Sequence, residues 1–189
     1  MKILVIQGSP RPQGNTACVL EAILAPARSA GHAIEEVRAC DLPLHGCTEC
    51  FACQEVMDEP GCSRQDAVGP VIGKIRAADL VIWAFPVFCW GWPAPIKCVL
   101  DRLYSVHKFK VDPHKVLIEG KKMALVVTAG GDEYDGADVA VITYEKFVAF
   151  ARCKSQGRFV AGSLGDPEAT KADVELARRA RKFGESLLA

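Results

Sequence analysis

The chain opens on a nearly unbroken apolar run. Residues 2–7, KILVIQ, place four aliphatic side chains in a row. A short run of this kind, apolar on both faces, predicts a strand buried from both sides, as in a parallel sheet. The period then changes. Residues 16–31 carry apolar positions at helical spacing up to Gly31 and predict a helix, with Pro26 expected to kink it or end it early. A second strand is predicted over 33–39, a helix over 66–78, and a strong strand over 79–85, DLVIWAF. Further on, the spacing predicts a helix over 95–106 with Pro95 suited to its first turn, a strand over 121–129 and a helix over 137–154. A strand over 157–164 and an amphipathic helix over 166–189 complete the series. Strands and helices alternate five times. That predicts one α/β domain spanning 1–189, a doubly wound five-stranded parallel sheet with helices on both faces.

Two stretches break the pattern. Residues 40–66 are rich in Cys, Pro, Gly and charge and show little periodicity; a loop this long inside a compact domain is uncommon and usually functional. Residues 107–120 are basic and poorly periodic, flanked by His107 and His114, and are expected to cover a neighbouring subunit.

Composition narrows the class. Half the residues are hydrophobic and 24% are charged, which is globular composition. The 23 basic and 23 acidic residues balance, so no electrostatic footprint for nucleic acid or an anionic membrane is present. The apolar run at the N-terminus is far too short for a signal peptide or a membrane span, and the chain is expected to be soluble and cytoplasmic. In that compartment nine cysteines point to metal ligation or redox chemistry rather than to disulfides.

Ligands on such sheets sit at the carboxyl ends of the strands, which here feed the loops 8–16, 86–94 and 129–136. The first, GSPRPQGNT, leads into a helix whose unpaired N–H groups and dipole favour an anion. Ser9 and Thr16 add hydroxyls, Asn15 can cap the helix, Arg11 adds a charge that can pair with phosphate, and Gly14 lets the backbone approach closely. There is no Gly-Lys-Ser/Thr and no Gly-x-Gly-x-x-Gly, so ATP and dinucleotide readings lose ground. On spacing alone, a phosphate cradle and a plain capped turn stand level. The tryptophans of the second loop, on their own, suit a hydrophobic lid or a subunit interface.

These pieces together resemble the flavodoxin-like NAD(P)H-dependent FMN reductase family. GSPRPQGNT after an N-terminal strand is similar to its FMN-phosphate loop. ADLVIWAFPVFCWGWPAPIKCVLDRLY resembles its third strand, flavin loop and following helix, with Pro86-Val87-Phe88, Lys97 and Asp101-Arg102 at the matching places. VVTAGG resembles the end of the strand that borders the flavin ring. The resemblance implies a flavodoxin-like fold and bound FMN, with Ser9, Arg11, Gly14, Asn15 and Thr16 at the phosphate. It places Pro86, Val87, Phe88, Cys89, Trp90 and Gly91, with Thr128, Ala129, Gly130 and Gly131, around the ring. Trp92 is left open, and Lys97 with Asp101 is expected to be a structural pair.

The 40–66 stretch holds Cys47, Cys50, Cys53 and Cys62 within HGCTECFACQEVMDEPGC. Closely spaced C-x₂-C-x₂-C supplies three ligands of a [4Fe–4S] cluster from one loop, and Cys62 is near enough to close the site. The motif resembles that of the iron–sulfur flavoproteins, a branch of the same family, although the eight residues before Cys62 make a longer gap than is typical there. A Cys₄ zinc site and free redox thiols are the other two readings. Cys18, Cys98 and Cys153 are expected to be small core hydrophobes, Cys40 is unassigned, and His45 is expected to be an exposed loop residue.

The resemblance implies an oxidoreductase in which electrons pass from NAD(P)H through flavin to an iron–sulfur cluster or a small acceptor, and the flavin carries the chemistry with no catalytic side chain. The alternative is a ferredoxin-linked electron carrier without nicotinamide activity. A homodimer or homotetramer is expected, since apolar insertions of this size usually find partners.

Overall fold

The computed structural model describes all residues, Met1–Ala189. Its central sheet is built from β1 (Lys2–Gln7), β2 (Ala33–Arg38), β3 (Leu80–Pro86), β6 (Lys122–Thr128) and β7 (Lys154–Ala161). The strands run parallel in the order β2-β1-β3-β6-β7. The three middle strands are buried along almost their whole length, which is why their sequences are continuously apolar. The edge strand β2 is buried only at Val37, and it carries two glutamates.

Helix α1 (Asn15–Ser29) and helix α6 (Val174–Ser186) cover one face, over Ile3, Val5, Ile82 and Val126. Helices α2 (Val68–Ala77), α3 (Ala94–Arg102) and α4 (Asp138–Phe150) cover the other, over Leu4, Ile6, Val81 and Leu125. Trp92 lies inside that second core. Its ring packs 5.5 Å from Trp83 and 4.6 Å from Phe85, and its Nε1 donates to the Ala140 carbonyl at 2.9 Å. It is a core anchor, not a lid.

Several boundaries differ from the sequence reading. Pro26 does not end α1, which runs three residues beyond it. The helix predicted over 95–106 is helical only to Arg102 and tightens to a 3₁₀ turn over Leu103–Val106. The predicted terminal helix is two helices. Short α5 (Pro167–Ala172) stops at Asp173, whose extended backbone breaks the chain and whose carboxylate accepts the Leu176 N–H at 2.9 Å to start α6. Cys153 sits between α4 and β7, where burial pushes its thiol up to about 11.

The 107–120 stretch forms a small antiparallel ribbon, β4 (His107–Lys108) against β5 (Lys115–Val116). His107 and Lys108 are buried within their own chain, while Phe109 and Val111 are exposed. The His107 ring stacks on Phe150 at 4.3 Å and on Phe109 at 5.8 Å. No helix is long and apolar enough to cross a membrane.

Two expectations follow from this packing. A Cβ on Gly184 would stand 2.0 Å from the Ile23 carbonyl oxygen, so α1 and α6 meet backbone to backbone there, whereas a Cβ on Gly73 of α2 meets nothing within 4 Å. Gly184→Ala is expected to destabilise by ~1–3 kcal/mol and Gly73→Ala to be neutral or to stabilise by up to ~1 kcal/mol, read from urea unfolding midpoints. Burial, with His114 and Arg152 adding to it, lowers the His107 pKa to about 4, so the folded state refuses a proton that the unfolded chain accepts below its ordinary value of 6.5. Stability present above pH 6.5 is therefore lost as pH falls toward 4, by up to ~1.4 kcal/mol per pH unit from this one group. The slope is expected to flatten in His107→Phe, measured by unfolding at pH 7, 6 and 5.

Candidate functional site

Three loops leave the carboxyl ends of β1, β3 and β6 and line one cleft of about 280 Å³. It is walled by Ser9, Pro10, Arg11, Gly14, Asn15, Thr16, Pro86, Val87, Phe88, Thr128, Ala129 and Gly130. Most of the residues expected at a cofactor are thus brought together. Cys89, Trp90, Gly91 and Gly131 do not line the cleft.

The first loop offers backbone rather than side-chain donors. Gly14 is the extended residue before α1 and provides no side-chain cap. The N–H groups of Asn15, Thr16 and Ala17 find no acceptor in the protein, as at any uncapped helix start. The side chains expected to help are occupied elsewhere. Asn15 does not cap α1. Its Nδ2 donates to the Gly165 carbonyl at 2.9 Å, and its Oδ1 accepts from Thr170 at 3.1 Å. The Thr16 hydroxyl is buried against that of Thr128 at 2.8 Å, locking the first loop to the third. The Ser9 hydroxyl accepts the Arg11 N–H at 3.2 Å and shapes the turn. Arg11 alone is an exposed side chain without an ion-pair partner. A Cβ on Gly14 would stand 2.9 Å from that of Arg11, so any larger residue would crowd the cradle.

The second loop is a tight turn. Val87 N–H donates to Thr128, and Phe88 and Gly91 exchange backbone bonds at 3.1 and 3.0 Å. Cys89 and Trp90 between them both hold positive φ, at 48° and 62°. Two adjacent non-glycine residues in the left-handed region cost about 1–2 kcal/mol each, and such strain concentrates at ligand sites. The turn leaves Phe88 exposed in the cleft wall and Trp90 exposed outside it. In the third loop a Cβ on Gly131 would stand 2.0 Å from the Asp135 carbonyl oxygen, so Gly131 is needed for the turn behind the cleft rather than in its wall.

A second cavity of about 340 Å³ lies at the other end of α3. Cys47, Cys50, Cys53 and Cys62 all line it, with Phe51, Arg102, Tyr104 and Ser105. Hydrogen bonds to the Ser63 hydroxyl and the Ala52 N–H hold the Cys50 thiol below its ordinary value. No three His, Cys, Asp or Glu side chains converge on a single ion position. Two buried polar atoms on this wall, Arg102 Nε and Ser105 Oγ, have no partner. Buried polar atoms are normally satisfied, so both fit a bound group that accepts hydrogen bonds. Four sulfur donors with spare N–H and O–H donors suit a sulfide-bearing cluster, whose acceptors are sulfur.

The sequence reading missed what holds this cavity open. Arg102, 1% exposed, ion-pairs with Asp66 and donates to the carbonyls of Arg64 at 2.9 Å and His45 at 3.4 Å. It so clamps both ends of the cysteine loop. Burial raises the Asp66 carboxyl, but the bonds from Arg102, the Val68 N–H and His45 outweigh it and hold the pKa below the ordinary range. The only sequence signal was the Asp101-Arg102 pair, which carries no hint of burial. His45 is exposed as expected, with its ring 3.3 Å from Asp66. Lys97 and Asp101 form the expected surface pair.

A family model described as "Flavodoxin-like fold" matches residues 1–183. The chain belongs to this family. Its relatives include an iron–sulfur flavoprotein of Methanocaldococcus jannaschii, 34% identical over 54% of this chain and 51% of that protein. An iron–sulfur flavoprotein of Archaeoglobus fulgidus is 26% identical over 91% of this chain and 76% of its own. The chain thus spans about half the length of the first of these relatives and three quarters of the second. The solved structure of an NAD(P)H:quinone oxidoreductase from Methanothermobacter marburgensis superposes with a TM-score of 0.76 at 21% identity, covering 100% of this chain and 98% of that one. At that identity the likeness concerns the fold, and it is the five-stranded parallel sheet described above.

The clamp has a measurable consequence. Asp66→Ala leaves a guanidinium buried without its carboxylate and is expected to cost ~3–5 kcal/mol. Asp101→Ala breaks an exposed pair and is expected to cost under ~1 kcal/mol, both by urea unfolding.

Proposed function

We propose that this chain is an FMN-dependent oxidoreductase that uses NAD(P)H, with a [4Fe–4S] cluster held by Cys47, Cys50, Cys53 and Cys62. One observation carries the reading. The cleft of three loops has unpartnered N–H groups at a helix start, and its second loop leads into α3, whose last residues Asp101 and Arg102 wall the cavity of four thiols. Relatives named as FMN-dependent NADH:quinone oxidoreductases, among them that of Azotobacter vinelandii at 25% identity over 72% of this chain, support the nicotinamide and the flavin. Relatives named as iron–sulfur flavoproteins support the cluster.

Bound in these places, FMN would supply hydride and one-electron chemistry and the cluster a one-electron site. The protein's own part is positioning. Backbone N–H groups of Asn15, Thr16 and Ala17 and the free guanidinium of Arg11 hold a phosphate. The Thr16–Thr128 bond fixes the spacing between the phosphate loop and the third loop. Pro86, Val87 and Phe88 give an apolar wall, and the free N–H group of Gly130 would serve the pyrimidine edge of a flavin. Phe88 would shield one side of the cleft from water. No side chain in the cleft has the pairing of a general acid or base. Over a turnover one NAD(P)H and one proton would reduce one two-electron acceptor of the quinone type, leaving NAD(P)⁺.

The second functional reading is a carrier reduced by ferredoxin with no nicotinamide site, in keeping with the flavin and cluster that the names of the iron–sulfur flavoprotein relatives imply.

The experiment is an anaerobic titration of the FMN-loaded protein followed at the flavin absorption band. Bleaching by NADH or NADPH within a turnover time is the expected outcome. Bleaching only by reduced ferredoxin would replace the enzyme with the carrier, and failure to bind FMN would remove both.

A further inference from the structure

The long gap between Cys53 and Cys62 needs something to bring the fourth thiol back, and the ribbon supplies it. Lys108 on β4 is fully buried. Its Nζ donates to the Cys53 carbonyl at 2.9 Å and to the Pro60 carbonyl at 3.0 Å, bridging the two ends of that gap. Gly61 then turns at φ +67°, where a Cβ would stand 2.6 Å from Val56, and delivers Cys62 to the cavity wall. Gln54 seats the loop on the same strand. Its Nε2 donates to the His107 carbonyl at 2.8 Å, and its Oε1 accepts the Phe109 N–H at 3.0 Å.

Lys108 makes no ion pair. The carboxylates nearby in the loop are used by other cations, Asp58 by Lys115 and Glu59 by Arg76. A buried ammonium held only by carbonyls lacks a counter-charge, and burying an unpaired charge is costly. What it adjoins is the backbone of a ligand cysteine on a wall of four thiols. A cluster ligated by four thiolates is anionic, and a fixed positive charge beside it compensates that charge. We propose that Lys108 is a positioning residue of the cluster site: it closes the cysteine loop on its fourth ligand and supplies the buried positive charge that the bound cluster requires. This rests on the cluster reading given above.

The test compares wild-type protein with Lys108→Met and Lys108→Arg, all reconstituted anaerobically with iron and sulfide. FMN content reports folding of a cleft that Lys108 does not touch, iron per chain reports loading, and a redox titration reports the cluster's midpoint potential. Lys108→Met is expected to keep its FMN and lose most of its iron, or to keep iron with a midpoint shifted to more negative potential, since a positive charge has left an anionic group. A merely structural lysine would not move the potential. Iron-replete Lys108→Met at the wild-type potential overturns the proposal while leaving the cluster reading intact. If Lys108→Met loses FMN together with iron, Lys108→Arg decides: retention of both with an unchanged potential supports the charged clamp, and any other result overturns it. Wild-type protein that takes up no iron removes the cluster and the clamp together.

Discussion

A parallel sheet sends the carboxyl ends of its strands to one edge, and each strand hands the chain to a helix that begins with unpaired N–H groups. Everything functional in this protein depends on that constraint. β1, β3 and β6 are adjacent, so the loops that follow them must meet. The first brings donors from the start of α1. The second brings aromatic surface on a strained turn. The third brings glycines that let backbone come close. The Thr16–Thr128 bond and the Val87–Thr128 bond tie the three together. The cleft is thus a product of topology, and its side chains serve mainly to hold the loops in register.

The cysteine loop solves a different problem. It has little regular structure and only a short 3₁₀ turn over Ala52–Glu55, so it is fixed from outside by two buried cations. Arg102 takes the ends and Lys108 takes the middle. Arg102 ends the helix that begins just after the aromatic turn, so α3 fixes the four-thiol cavity relative to the cleft.

Much of this was legible in the sequence, for reasons that differ by element. Strands such as LVIWAFP are readable because burial on both faces leaves a continuous apolar run. The phosphate loop was readable as a loop whose helix start offers unpaired N–H groups, but the partners of its side chains were not. Asn15 and Thr16 looked like ligand donors and are spent on Gly165 and Thr128, contacts 150 and 112 residues away that no local pattern encodes. The same limit hid Arg102 and Lys108. Both are basic residues, normally exposed, and only the tertiary structure shows that they are buried against the cysteine loop. Pro26 did not bring the early end it suggested, since α1 continues through it. Asp173 was overlooked although Asp is a favoured helix cap. Trp92 was undecided because tryptophan suits a core and a lid equally well until its Nε1 partner is known.

The most direct measurement is the cofactor stoichiometry of protein purified without oxygen: FMN, iron, acid-labile sulfide and zinc assayed on one sample alongside its visible spectrum. Two sites joined by α3 require one FMN with about four iron and four sulfide per chain, and a broad cluster absorption beneath the flavin bands. A clean flavin spectrum with no iron, or one zinc per chain in its place, would contradict the cluster half of the account. Absence of FMN would contradict the whole.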